Sequence, residues 1–294
     1  MKLGLNLSFA IKRWLGGEAM AKIVKDELGM DVVQFTWDLV DPWWPAEKRD
    51  PIAREYATAF RRAGITIEST FGGLASYTYN HLLAPTPELR ALGKEHLMRA
   101  IDMTSEMEVR GAGMPFGSYS TADALNPARR EEIYKEAVET YVEISRHAKR
   151  KGLETLYVEP VPLATEFPSS ATDALRLMKD LNAHAEVPVR LMVDWGHALF
   201  TPLFGEQADM DYWMSTCGEY IGAFHIQQSD GLLDRHWNFT RDGIITPARL
   251  ADFWKRHKLS DQTYFMEIIY PFEETDEDVL ADMKASIALL RQAA

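Results

Sequence analysis

One cysteine, Cys217, is all that the 294 residues contain, so no disulfide can close within the chain, and a reducing compartment is the natural setting. Cys217 reads as a buried, inert thiol. Long apolar runs are missing too, and nothing reaches the length needed to cross a bilayer. The opening Met1–Ile11 alternates and ends in Lys12-Arg13; a secretory signal would carry its charge first, so this reads as a first strand. A soluble cytoplasmic protein is expected. Positive charge is in deficit. The net charge of −12 repels phosphate backbones and sets nucleic acid aside as a partner, while leaving room for a local basic pocket. There is no Gly-x-Gly-x-x-Gly at the first helix, no low-complexity linker and no internal repeat, which weakens a dinucleotide reading and favours one domain over residues 1–294.

What is present is a hydrophobic fraction of 46%, ample for a core, arranged in alternating segments of two periodicities. Apolar runs over 3–9, 31–37, 65–71, 109–114, 154–161, 189–195, 220–227 and 263–270 read as strands. Helical patterns over 18–28, 51–63, 86–107, 126–151, 170–183, 209–216, 247–257 and 275–291 lie between and after them. Their ends carry punctuation: Thr86-Pro87 and Asn126-Pro127 as N-cap and first helical residue, and Gly29, Gly64 and Gly152 as stops. Runs such as Leu191-Met192-Val193 are apolar on consecutive residues, as strands covered on both faces must be. The alternation forces parallel pairing, and eight β/α pairs predict an α/β fold, a single (β/α)₈ TIM barrel, with an open doubly wound sheet as the alternative.

In such a barrel the chemistry gathers where strands end, at the C-terminal face. Strands five to eight each place an ionisable residue in or just after an apolar run: Glu159, Asp194, His225 and Glu267. A carboxylate there is costly unless paired or bound to metal, and three brought together repel one another without a cation. Three oxygen ligands and one imidazole suit one divalent ion, Mn²⁺, Mg²⁺ or Co²⁺, better than a thiolate-rich zinc site.

This set resembles the metal site of the xylose-isomerase-like sugar isomerase/epimerase superfamily, which includes the ketose 3-epimerases and, more distantly, endonuclease IV. The resemblance extends over essentially the whole chain. It takes in Asn80–Arg90, Met98–Asp102 and, most specifically, Asp194-Trp195-Gly196-His197. It implies that Glu159, Asp194, His225 and Glu267 bind the metal. Glu159 and Glu267 would be the acid and base on opposite sides of a substrate carbon, acting through a cis-enediolate, and His197 would contact a substrate oxygen. Glu166 lies seven residues after Glu159, where the ketose epimerases carry a substrate-contacting glutamate six residues on. Six residues after His225 those epimerases have arginine and this chain has Gly231; arginine comes at Arg235, within Asp234-Arg235-His236. An Asp-x-His at about this place binds a further metal in endonuclease-IV-like members, so a second metal is left open. The stretch Gln227–Phe239 resembles the branch acting on short ketose phosphates such as tetrulose phosphates. Epimerisation of such a substrate is expected, with aldose–ketose isomerisation or, further off, an endonuclease-IV-like phosphodiesterase as alternatives.

Around this centre, Trp14, Trp37 and Phe71 are candidate walls of the substrate pocket, and Glu68 either makes a pocket hydrogen bond or a structural ion pair. Lys12, Arg13, Arg235 and Arg241 are candidate phosphate ligands, Arg235 foremost. Trp43 and Trp44 lie in a loop that either covers the site or forms the contact of a homo-oligomer.

Overall fold

A computed structural model describes residues 1–293. Eight parallel strands close in chain order into a barrel: β1 (Lys2–Asn6), β2 (Val32–Thr36), β3 (Thr66–Phe71), β4 (Gly111–Pro115), β5 (Thr155–Glu159), β6 (Val189–Asp194), β7 (Ile221–Ile226) and β8 (Thr263–Met266). Closure is made by β8 against β1, with Leu3 level with Tyr264 and Leu5 with Met266. Each strand is followed by a principal helix: α1 (Gly17–Lys22, continued by a wider turn over Ile23–Glu27), α2 (Ala46–Arg62), α3 (Pro87–Glu106), α4 (Pro127–Arg150), α5 (Ala171–Asn182), α6 (Met210–Cys217), α7 (Pro247–His257) and α8 (Asp276–Ala293). Among the described residues no helix is long and apolar enough to cross a membrane.

The helix starts follow the capping residues. The side chains of Thr86, Asn126, Ser170 and Thr246 accept from the third backbone N–H of their helices, and Ser170 with Asp173 forms a reciprocal capping box. Helix α2 begins at Ala46, ahead of the expected Pro51, because the turn after Pro45 already presents its carbonyl to the N–H groups of Lys48 and Arg49. Pro51 then lies inside the helix, in its second turn, where its missing N–H leaves the Glu47 carbonyl without the usual i+4 donor.

Alternation along the strands sorts side chains between barrel interior and helix ring. On β2, Gln34 points inward, while Phe35 meets Tyr56 of α2 and the following Trp37 meets His96 of α3. Phe71, Met192, Ala223 and Phe265 form a small apolar layer inside the barrel. Gly4 makes room for it, since a Cβ there would come within 2.7 Å of the Phe265 ring. Above this layer the strand ends turn polar. Strand β8 stops at Met266 where Tyr270 was expected; beyond it the ladder gives way to single contacts, Glu267 N donating to Ile226 O at 3.0 Å and Ile269 N to His236 O at 3.2 Å.

Candidate metal centre and active site

Glu159 ends β5, Asp194 ends β6, His225 is the penultimate residue of β7 and Glu267 follows β8. The sheet register sets Asp194 level with His225. These four side chains, all buried, bring one ligand atom each to within 4.8 Å of one another. His225 Nδ1 is 2.8 Å from Glu159 Oε1 and 2.9 Å from Glu267 Oε2. A single Nδ1 proton can serve only one of them, and Glu267 Oε2 has no aligned donor among the described residues.

The surrounding amides orient this group. Gln34 Oε1 accepts from Asn6 Nδ2 at 2.8 Å and lies 2.6 Å from His225 Nε2, while Gln34 Nε2 donates to Ser69 Oγ at 3.0 Å. With its oxygen so fixed, Gln34 accepts the Nε2–H of His225 and leaves Nδ1 as the ring nitrogen facing the carboxylates, the one that would bind a metal once its proton is displaced. Asn6 Nδ2 also donates to Glu267 Oε1, leaving Oε2 facing the centre. Gln227 Nε2 donates to both oxygens of Asp194, at 2.9 and 3.1 Å. Asn6, Gln34 and Gln227 were not singled out as site residues. Their signal in the sequence is a neutral polar residue inside an apolar strand, which is as common in packing as in function.

The electrostatics fit a cation. Burial opposes a charged His225 ring, but Glu267 and Glu159 outweigh it and raise its pKa to about 10. Burial pushes Glu159 above the ordinary carboxylate range; on Glu267 burial is outweighed by His225 and His236, which hold it below. Three carboxylates, one imidazole and an undonated buried oxygen are the donor set of a hard-to-borderline divalent ion.

A second group adjoins the first. Asp194, His197 and His236 also offer ligand atoms within 4.8 Å. Asp234 lies between the rings, 3.2 Å from His197 Nε2 and 3.1 Å from His236 Nε2. His197 Nδ1 is 3.1 Å from the carbonyl of Pro160 and 3.8 Å from Glu159 Oε1. The mouth above is a cavity of about 170 Å³ lined by Ser76, Tyr77, Tyr79, Pro115, Val161, Pro162, Leu163, Glu166 and Asp234. Burial raises the Glu166 carboxyl to about 7.

Several expected pocket residues lie elsewhere. Glu68 sits at the N-terminal end of the barrel, paired with Lys2 Nζ at 2.7 Å and accepting from Thr263 Oγ1 at 2.6 Å. A bulge between β2 and β3 at this position turns its side chain toward the starts of β1 and β8. Trp37 belongs to the outward set of β2 and packs edge-on against His96, so it is not a wall of the mouth. Trp14 lies in the β1–α1 loop against Phe9. Phe71 is in the apolar layer with its ring 5.0 Å from that of His225. Arg235 is bound within its own loop, to Asp230 at 2.8 and 3.0 Å and over the Trp237 ring. Arg13 is held by Asp276 and by the carbonyls of Pro271 and Glu274, and Lys12 lies over Phe272. Gly231 replaces an arginine for a local reason: it has φ +71°, and a Cβ would come within 2.7 Å of Ile244. Trp43 leans on His96 and Trp44 is exposed.

The family described as xylose isomerase-like TIM barrel matches residues 23–292. A crystal structure of a Rhodospirillum rubrum ATCC 11170 protein, which carries the provisional name of a xylose isomerase, is 66% identical with a TM-score of 0.99, covering 100% of this chain and 99% of that one. D-erythrulose 1-phosphate 3-epimerase of Brucella abortus (strain 2308) is 25% identical over 98% of this chain and 94% of its own. D-psicose 3-epimerase of Clostridium cellulolyticum H10, solved with D-tagatose, shares the fold at a TM-score of 0.75 and 14% identity, covering 100% of this chain and 99% of that one.

Proposed function

The chain belongs to the xylose isomerase-like TIM barrel family, and from that premise we propose that it is an enzyme that epimerises a short ketose phosphate, a tetrulose phosphate foremost, with one divalent metal ion and two glutamates. The observation that carries this reading is the placing of Glu159 and Glu267 within 2.8 and 2.9 Å of His225 Nδ1, in one buried group with Asp194.

Glu159, Asp194, His225 and Glu267 would hold the metal. When bound, Mn²⁺, Mg²⁺ or Co²⁺ supplies positive charge against which a carbonyl oxygen and its neighbouring hydroxyl are polarised. The chain's own residues do the rest. One glutamate takes the proton from the carbon next to the carbonyl, and the other returns a proton on the opposite face. A placed acid or base is worth roughly 10²- to 10⁴-fold in rate. Proton return to the former carbonyl carbon, with a proton moved between the two oxygens, gives aldose–ketose isomerisation with the same residues, and the product distinguishes the two. Glu166 borders the mouth, His197 Nδ1 lies 3.8 Å from Glu159 Oε1, and both are assigned to substrate oxygens.

Two observations support a short substrate. The Brucella relative bears the name of a four-carbon ketose phosphate epimerase. The mouth, at about 170 Å³, is smaller than the ~300 Å³ at which sites for drug-sized ligands begin. The phosphate is assigned to the β7–α7 loop, where Arg235 and Arg241 supply positive charge; phosphate is commonly held around strands seven and eight of such barrels. A phosphodiesterase reading draws on the second ligand group, Asp194, His197 and His236, but the net charge of −12 opposes a nucleic-acid substrate.

The test is proton exchange. The protein is incubated in D₂O with Mn²⁺ and a panel of ketoses and ketose phosphates, and deuterium beside the carbonyl is read by NMR. Exchange into a short ketose phosphate, abolished by a chelator, is expected. No exchange into any ketose, together with Mn²⁺-dependent phosphodiester cleavage, would transfer the site to the second reading.

A further inference from the structure

We propose that Tyr77 is a positioning residue for one glutamate only, and that it makes the two faces of the reaction unequal; this rests on the two-glutamate reading above. Tyr77 lies on a single 3₁₀ turn, Leu74–Thr78, in the β3–α3 loop. Its phenol O–H donates to Glu159 Oε2, while Glu159 Oε1 faces His225 and His197. The two oxygens of this carboxylate are thereby divided: Oε1 turns to the metal-binding group and Oε2 is held on the side of the cavity that Tyr77 lines. Glu267 has no comparable partner on the cavity side. Its Oε1 is held by Asn6 from within the barrel, and its Oε2 has no donor among the described residues.

The turn is built to hold this place. Asp38, just past β2, accepts from the backbone N–H groups of Leu74 at 2.6 Å and Ala75 at 3.2 Å. Gly73 allows that approach, since any Cβ there would overlap the Asp38 carboxylate. On the other side, His81 Nε2 donates to the carbonyl of Ser76 at 2.6 Å. His81 is itself seated on α3 against Gly93, where a Cβ would meet the His81 backbone at 2.7 Å. The three residues before Tyr77 in the turn, Leu74, Ala75 and Ser76, therefore have fixed partners outside it, and Thr78 Oγ1 closes the turn on the carbonyl of Ala75, while Tyr77 reaches into the centre.

When Glu159 acts as base, the substrate C–H bond breaks, its proton goes to Oε2, and its electron pair moves toward the carbonyl. Tyr77 keeps its own proton and holds the carboxylate at the angle that presents Oε2. Without the hydroxyl the carboxylate can rotate, and only transfers on the Glu159 face suffer.

The experiment compares Tyr77→Phe with wild type in Mn²⁺-loaded protein, using each epimer of the reacting ketose as separate starting material in D₂O at initial rate. The Glu159 face is identified independently as the one whose exchange is lost in Glu159→Gln. Tyr77→Phe is expected to slow exchange on that face by about tenfold or more, in line with losing a hydrogen bond to a charged group. Exchange on the Glu267 face should be unchanged, which also shows that the variant is folded and metal-loaded. Overall kcat should fall with little change in KM. Equal slowing on both faces would assign Tyr77 to the fold and overturn the proposal, as would wild-type exchange on both. If wild type itself exchanges neither epimer of any ketose, the two-glutamate reading fails first and this inference with it.

Discussion

Replacing Gln34 by leucine should weaken metal binding without touching any of the four proposed ligands. Gln34 is fully buried, and its amide oxygen serves two donors, Asn6 Nδ2 at 2.8 Å and His225 Nε2 at 2.6 Å. Leucine has similar bulk and accepts nothing. The Nε2–H of His225 then loses its partner in a site with no water-exposed surface, and a buried donor left unpaired costs about 1–3 kcal/mol. Asn6 keeps its second acceptor, Glu267 Oε1, so its loss is smaller. The imidazole is freed to rotate or change tautomer, and partners of this kind typically contribute 10- to 100-fold to metal affinity. Isothermal titration of chelator-treated protein with Mn²⁺ reads this directly, with Gln34→Glu as the companion variant that restores an acceptor. A Mn²⁺ dissociation constant for Gln34→Leu within twofold of wild type would refute the chain from Gln34 through His225 to the metal.

Three further outcomes follow from particular contacts. Burial lowers His96 to about 4 from 6.5, and both its ring nitrogens lack partners among the described residues; a folded pKa below the unfolded one means stability is intact above about 6.5 and is lost as pH falls toward 4. By linkage the loss is roughly 2 kcal/mol at pH 5, so a urea midpoint that falls between pH 7 and pH 5 should fall less in His96→Phe, and an identical fall would contradict this. Glu68→Gln, at the far end of the barrel from the site, should lower the melting temperature modestly while leaving kcat and KM unchanged; a selective loss of kcat would return Glu68 to the pocket. Arg235→Ala should raise KM for a phosphorylated substrate relative to the free sugar, and an unchanged ratio would remove Arg235 from the phosphate site, leaving it only its contacts with Asp230 and Trp237.

The barrel was legible because each of its signals is local. The consecutive apolar residues of β6, the Thr86-Pro87 and Asn126-Pro127 helix starts and the terminal glycines are all read within a few residues. Glu159, Asp194, His225 and Glu267 were legible for a related reason: in a barrel, strand order fixes neighbourhood, so four strand ends must converge. Properties set by alternation and register were harder to read. Trp37 could not be assigned outward until Gln34 was seen pointing inward, and Glu68 could not be assigned to the barrel floor without the bulge that breaks the register of β2 and β3. Tyr77 carried no signal at all, because it enters the site from a loop whose course is set by Asp38 and His81, distant from it in kind and in sequence pattern.

The central claim is that Glu159 and Glu267 each act on one face of the same carbon. Glu159→Gln and Glu267→Gln, prepared with Mn²⁺ and assayed on both epimers in D₂O, test it most directly. Each variant should lose more than ~10²-fold in epimerisation, and metal binding should weaken less, since glutamine keeps one ligand oxygen. Each should still exchange deuterium into one epimer, and the two variants should retain opposite epimers. Residual exchange into both epimers by a single variant would mean that one base serves both faces, and would contradict the two-base account; an aldose product labelled at the former carbonyl carbon would move the reading to aldose–ketose isomerisation.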